Sequence, residues 1–213
     1  MTKVLIVGMG GLAKEFVTYF SEQISVVGYT TTNSTNHEEE TNLTGKFFDY
    51  NVSPDQVGTD EAVIAIGHPE AKQTVSKQLM HLGFKFPSFI HPSSVLAETV
   101  NVEAGVIVSP NCVISPNVTL KAFAYVNFSC GIGHDAVIGR YVQINPGSQV
   151  GGFAIVGDGS LVGSSSTILQ SINVGAGATI AAGSVVYSRV AAKATVMGNP
   201  AKRMRALEKQ TLP

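Results

Sequence analysis

Two rhythms of apolar spacing divide the chain. From residue 90 to residue 186 every sixth residue is Ile, Leu or Val, an unbroken series running from Ile90, Leu96 and Val102 through Ile132 and Ile138 to Ile180 and Val186. Self-similarity at a fixed period marks a repeat architecture. A period of six matches neither the 3.6-residue turn of an amphipathic helix nor simple alternation. It matches a coil with three flat faces, each consuming one hexapeptide, so that three hexapeptides restack on themselves. Four residues after the aliphatic, side chains are small or β-branched, among them Ser94, Val106, Cys112, Ala124, Cys130, Ala136 and Ser148. These predict a second, more cramped inward column in a narrow triangular prism. Glycine often follows the aliphatic directly, at Gly133, Gly139, Gly151, Gly157, Gly163 and Gly175. Those glycines read as corner residues that need backbone freedom. No hexapeptide is interrupted, so no long loop should protrude.

Residues 1–89 follow another rhythm. Lys3–Val7 reads as a short buried strand, residues 12–22 as a helix through Leu12, Phe16, Val17 and Phe20, and Ile24–Thr30 as a second strand. Residues 31–46 are polar and read as a loop. Ala62–Ile66 is a third strand, residues 70–82 a helix closed by Gly83, and Phe84–Ile90 leads into the first coil. Strands alternating with helices imply a small Rossmann-like α/β domain with a parallel sheet. The expected organisation is an α/β domain over 1–89, a β-helix over 90–190, and a closing segment with a basic tail over 191–213.

Composition narrows the functions. The formal net charge is −1, which gives no support for a nucleic-acid partner. No apolar run is long enough to span a membrane and no signal-peptide layout is present, so a cytoplasmic protein without membrane insertion is expected. Cys112 and Cys130 are 18 residues apart, which places them one above the other. They read as small apolar fillers in a reducing compartment, and an inward Cys130 is poorly placed to carry an acyl group. No cluster of thiols and imidazoles predicts a metal.

Gly8-Met9-Gly10-Gly11-Leu12-Ala13 fits the G-x-G-x-x-A fingerprint after a strand and before a helix, where backbone amides can hold a phosphate. NAD would call for an acidic residue at the end of the second strand, and the chain has Gly28-Tyr29-Thr30-Thr31 there. The domain is also short for a full dinucleotide fold. A nucleotide or nucleotide-linked sugar and a purely structural tight turn both stay open.

Of the five histidines, His37 falls in the polar loop, His81 near a helix end, His68 after the third strand and His91 at the first coil. Only His134 lies in the body of the prism. Counting from Ile132 turns it outward near a corner, and the same count puts Gly152 on the next coil directly above it. An outward imidazole beside a spot without a side chain can serve as a base at neutral pH. Asp135 can orient its second nitrogen, provided that a corner brings the two side chains together.

The segments Asn127-Phe128-Ser129, Ile132-Gly133-His134-Asp135-Ala136-Val137-Ile138-Gly139, Gly151-Gly152 and Gly198-Asn199-Pro200-Ala201-Lys202 resemble the NeuD-like sugar acetyltransferases, including PglD-type nucleotide-amino-sugar N-acetyltransferases. The likeness runs over essentially the whole chain. It implies a left-handed parallel β-helix, a homotrimer, and acetyl-CoA as co-substrate. By that resemblance His134 is the general base, Asp135 its acidic partner, and Asn127 a neighbour of the acceptor group. Acetyl-CoA would lie in a groove between neighbouring prisms, past Gln143, Gly152, Ser164 and Ala182, with the Gly152 amide facing the tetrahedral oxyanion. Gly10, Gly11, Leu12 and Gly67 match positions that face a nucleotide sugar. One departure is the Thr30-Thr31 pair, where UDP-sugar enzymes of this kind carry two aspartates. The resemblance implies acetyl transfer to the amino group of a nucleotide-linked amino sugar for surface-glycan synthesis. O-acetylation of sialic acid or a related sugar is the near alternative, and a non-catalytic scaffold the distant one. The carbonic-anhydrase branch of the same fold is excluded, because it needs three zinc-binding histidines and the repeats offer only His91 and His134.

Overall fold

The structure is a computed structural model that describes residues 1–31, 43 and 45–204. Most of the predicted polar loop, His37 with it, and the tail from residue 205 lie outside the described residues. The chain divides into two compact units, Met1–Pro87 and Ser88–Pro213.

In the first unit β1 (Thr2–Val7) lies between β2 (Ile24–Thr30) and β3 (Ala62–Ile64), all parallel. Helix α1 (Gly11–Tyr19) follows β1, a short α2 (Pro54–Val57) precedes β3, and α3 (Pro69–His81) follows it. Val4, Leu5, Ile6 and Val7 are buried without alternation, as a central parallel strand covered on both faces must be. Phe16 and Phe20 stack at 4.7 Å on the inner side of α1, and Leu79 fills the same role on α3. Lys72 on α3 is also buried, and burial lowers its ammonium to about 7. The sequence pattern missed α2, whose start is a local affair: the Gln56 side chain accepts from the Ser53 backbone in a capping box. The third strand ends two residues earlier than expected, and Ala65 and Ile66 instead border a cleft.

The second unit is a left-handed parallel β-helix. Up to Val185–Val186 its strands are two residues long and pair in parallel at an offset of 18 residues, from Phe89↔Ile107 on one face to Thr167↔Val185 on another. The first face runs from β4 (Phe89–Ile90) to β22 (Lys202–Arg203), the second from Val95–Leu96 to Val185–Val186, and the third from Asn101–Val102 to Asn173–Val174. Both inward columns are present. Ile114, Ile132, Ile138 and Ile144 fill the axis, with Cys112, Ala136, Ser148 and Ser160 between them. The inward serines need acceptors, and Ser148, Ser160 and Ser166 donate to the backbone carbonyls of Gly163, Gly175 and Ala181 on the next rung.

The corner reading of the glycine column is corrected. The left-handed residue of each turn stands three positions after the aliphatic, not one. It recurs at every sixth residue from Gly105 to Gly183, including Asn111, Asn117, Ser129, Asp135 and Phe153, with φ near +60°. The glycines that follow the aliphatic have another reason to be glycine. A Cβ on Gly133 would lie 2.5 Å from the Gly152 nitrogen, and one on Gly157 would lie 2.6 Å from the Ala176 nitrogen. Gly163 and Gly175 press equally on Ala182 and Ala192. Close approach of stacked backbones excludes a side chain there.

Both ends of the prism differ slightly from expectation. The Ser88 hydroxyl donates to the Glu103 carbonyl and accepts from the Val106 amide, so the first coil begins before residue 90. The last coil passes residue 190. Thr179 pairs with Thr195 of β21 (Thr195–Met197), 16 residues on, and β22 closes against β21 antiparallel.

Candidate active site

His134 leaves the second face after β11 (Gly131–Ile132), at the corner that leads to the third face. The next residue, Asp135, takes φ +60°, and this left-handed step swings its carboxylate back to the preceding side chain. Asp135 Oδ2 lies 2.8 Å from His134 Nδ1. Asn117, one coil below, donates from Nδ2 to Asp135 Oδ1 at 3.1 Å. The His134 hydrogen bond, followed by that of Asn117, holds the Asp135 carboxyl below the usual carboxylate range. An ionised carboxylate can only accept, so Nδ1 carries the hydrogen and Nε2 offers its lone pair.

Nε2 faces the coil above. A Cβ on Gly152 would stand 2.9 Å from it, so only a glycine leaves room at this spot for the imidazole. The edge of the ring meets Phe153 at 5.1 Å, nearly perpendicular. The His134 side chain is 59% exposed and that of Asp135 33%. Gly131, Gly133, Gly151 and Gly152 line a groove of about 470 Å³ along the second face, next to the corner that carries His134, with Gln149 and Gln170 also lining it. The Gly152 N–H donates to no acceptor among the described residues, as an oxyanion donor requires.

The other expected residues sit on a different edge. Asn127 follows the last residue of the first-face strand Tyr125–Val126, and it is 6% exposed with Oδ1 accepting from the Phe128 amide. Ser164 and Ala182 occupy the corner between the first and second faces, one and two coils above the Pro146 corner, and their amides have no acceptor among the described residues. Gln143 projects from the first face and donates to Asn145 Oδ1. Within one chain the structure therefore groups His134, Asp135 and Gly152 on one edge, and Asn127, Gln143, Ser164 and Ala182 along the other side of the second face. The free Cys112 and Cys130 are buried in the axis with their thiols turned to the Asn127 and Asn145 carbonyls. The Cys130 thiol is pushed up by its hydrogen bond with Cys112 and by burial, which suits packing and not nucleophilic attack.

The α/β unit has a site of its own, a cleft of about 800 Å³ at the carboxyl ends of β1 and β3. Gly10, Gly11, Leu12 and Gly67 all line it, and a Cβ on any of these three glycines would meet only open space. Two helices start there. Gly10 is the N-cap of α1 and His68 that of α3, and neither end has a side-chain cap. Two uncapped N-termini of 9- and 13-residue helices present free amides and the positive ends of two dipoles to one cavity. Thr31 lines the cleft and Thr30 does not; the Thr30 hydroxyl is buried without a partner among the described residues. Tyr50, His68, Thr74 and Gln78 also line it. Sequence reasoning missed them, because only the packing of α3 against β3 and of the segment after residue 45 against β2 brings them together. No group of three or more metal-ligating side chains occurs among the described residues.

Comparison with known proteins places the fold in a class. Residues 135–170 match the family model of the bacterial transferase hexapeptide in six repeats, and residues 154–188 match that of the hexapeptide repeat of succinyl-transferase. Solved structures extend the likeness to both units. WeeI from Acinetobacter baumannii is 22% identical with a TM-score of 0.81, over 96% of this chain and 100% of its own. A histidine-to-alanine variant of GDP-perosamine N-acetyltransferase from Caulobacter crescentus, in complex with CoA and GDP-perosamine, is 22% identical with a TM-score of 0.76, over 96% and 97% of the two chains. The acetyltransferase domain of PglB from Neisseria gonorrhoeae, in complex with acetyl coenzyme A, is 23% identical with a TM-score of 0.74, over 95% and 98%. No curated protein matches the chain. The chain shares the whole two-part fold of these three structures.

Proposed function

We propose that this protein transfers the acetyl group of acetyl-CoA to the amino group of a nucleotide-linked amino sugar. The observation that carries the reading is the His134 imidazole, with Nδ1 tied to an ionised carboxylate and Nε2 turned to the side-chain-free Gly152 on the next coil. In that arrangement Nε2 takes a proton from the acceptor amine as it attacks the thioester carbonyl. The imidazolium formed is stabilised by Asp135. The tetrahedral oxyanion is met by the unengaged Gly152 N–H, and the proton leaves with the CoA thiol. No covalent enzyme intermediate is needed.

The α/β cleft supports the nucleotide part of the reading. Two converging helix N-termini, with no acidic side chain among the lining residues, suit a diphosphate. The similar GDP-perosamine enzyme takes a substrate of that class.

The two edges of the prism support a trimer. A single pantetheine arm reaches both the Gly152 edge and the Ser164–Ala182 edge when the second belongs to a neighbouring copy, and Asn127 and Gln143 arrive on that copy with it. The protein acts in the cytoplasm in this reading, in the assembly of a surface glycan. Three measurements test it. Light scattering after gel filtration should give three chains per particle. Thermal-shift screening with acetyl-CoA and UDP-, GDP- and dTDP-linked amino sugars should single out one nucleotide; stabilisation by none of them would overturn the nucleotide-sugar reading. His134→Ala should lower acetyl transfer by about 10²–10⁴-fold while binding of CoA is kept.

A further inference from the structure

We propose that Asn117 is a positioning residue, whose side-chain amide fixes the Asp135 carboxylate and thereby the tautomer and aim of His134. The inference rests on the reading of His134 as the base, and extends it one coil down the prism.

A carboxylate turns readily about its last bond, since that torsion is broad and two-fold. Either oxygen could then meet the imidazole, or neither. In this protein Oδ1 is taken by Asn117 Nδ2 at 3.1 Å, which leaves Oδ2 for His134 Nδ1 at 2.8 Å. The geometry is available because Asn117 and Asp135 occupy the same corner position on successive coils, with φ +61° and +60°. Asp135 N–H donates to the Pro116 carbonyl, and Asn117 N–H to the Thr99 hydroxyl. The ladder thus ties three coils together below the imidazole, while Gly152 and Phe153 bound it from above.

A left-handed corner alone would also favour asparagine, so the test must separate the two roles. Asn111 is the control. It is a left-handed Asn of the same repeat column at φ +59°, one hexapeptide earlier, and makes no side-chain contact with His134 or Asp135.

The experiment is nitrogen NMR of the neutral His134 imidazole at alkaline pH, in the full chain and without added ligand. The wild type should show one tautomer, with hydrogen on Nδ1. Asn117→Gly removes the donor without penalising the left-handed backbone, and Asn117→Asp keeps shape and backbone preference but cannot donate when ionised. In both variants the single Nδ1–H tautomer should be lost to a mixture containing Nε2–H, while Asn111→Gly leaves it intact. If both Asn117 variants keep the pure Nδ1–H form, or if Asn111→Gly disturbs it equally, Asn117 is only a corner residue and the inference falls. Thermal melting of each variant confirms that the comparison is between folded proteins. Failure of the base reading shows separately, as unchanged acetyl transfer in His134→Ala with the tautomer result standing.

Discussion

Two sets of glycines, one in each unit, do opposite things. In the α/β unit Gly10, Gly11 and Gly67 face open space, and their missing side chains make room for a ligand. In the prism Gly133, Gly151 and Gly157 are pressed against the backbone of the next coil, and their missing side chains let the chain stack on itself. Gly152 belongs to neither group, since what its missing side chain would meet is the imidazole of His134 on the coil below. One residue type therefore marks open space at some positions and structural contact at others, and only the packing around each tells which applies.

Substitutions at these positions sharpen that contrast. The largest effect should come from Gly152→Ala. A methyl group 2.9 Å from Nε2 displaces an exposed side chain and not backbone, so the melting temperature should hardly change. Acetyl transfer should fall about 100-fold, the scale of an ångström-sized misplacement of a catalytic group. A stable variant with full activity would remove His134 from the mechanism. Next comes Gly157→Ala, where the obstacle is backbone 2.6 Å away that cannot swing aside. It should destabilise the protein by about 1–3 kcal/mol, read from the midpoint of urea unfolding. Gly183→Asn, with φ +68° and open space around it, should change that midpoint by less than about 0.5 kcal/mol. Equal losses in the two variants would show that corner conformation, not stacking, sets the glycine pattern. The smallest effect belongs to the α/β unit. Thr30→Val keeps the β-branched shape and removes a buried hydroxyl with no partner among the described residues, so it should stabilise the protein by about 1 kcal/mol. A loss of stability would mean that the hydroxyl is satisfied after all.

The prism was legible in the sequence to an unusual depth. Ile132, His134 and Gly152 could be placed by counting, because every rung is defined by the same 18-residue register. The pairing of His134 with Asp135 was foreseen only on condition of a corner, and the +60° backbone of Asp135 supplies it. The corner column was misassigned, although its signal was present: Asn111, Asn117, Gly147, Gly159 and Gly177 recur at one repeat position, and these are residue types that tolerate the left-handed region. Asn117 went unnoticed as a partner of Asp135, since a hydrogen bond between successive coils depends on side-chain direction as well as on register. In the α/β unit the fingerprint glycines were legible, while Tyr50, Thr74 and Gln78 were not.

The sequence by itself determined the period, and with it the three faces, the inward columns and the vertical neighbours of every residue in the coils. It could do so because a parallel stack of identical rungs turns tertiary contact into arithmetic. Only the tertiary structure decided which glycines are pressed and which are open. It also decided which cleft receives two helix ends, and that the expected site residues fall on two separate edges of one prism. Those outcomes depend on corner geometry and on packing between elements that share no period, where the spacing of residues along the chain carries no information about distance.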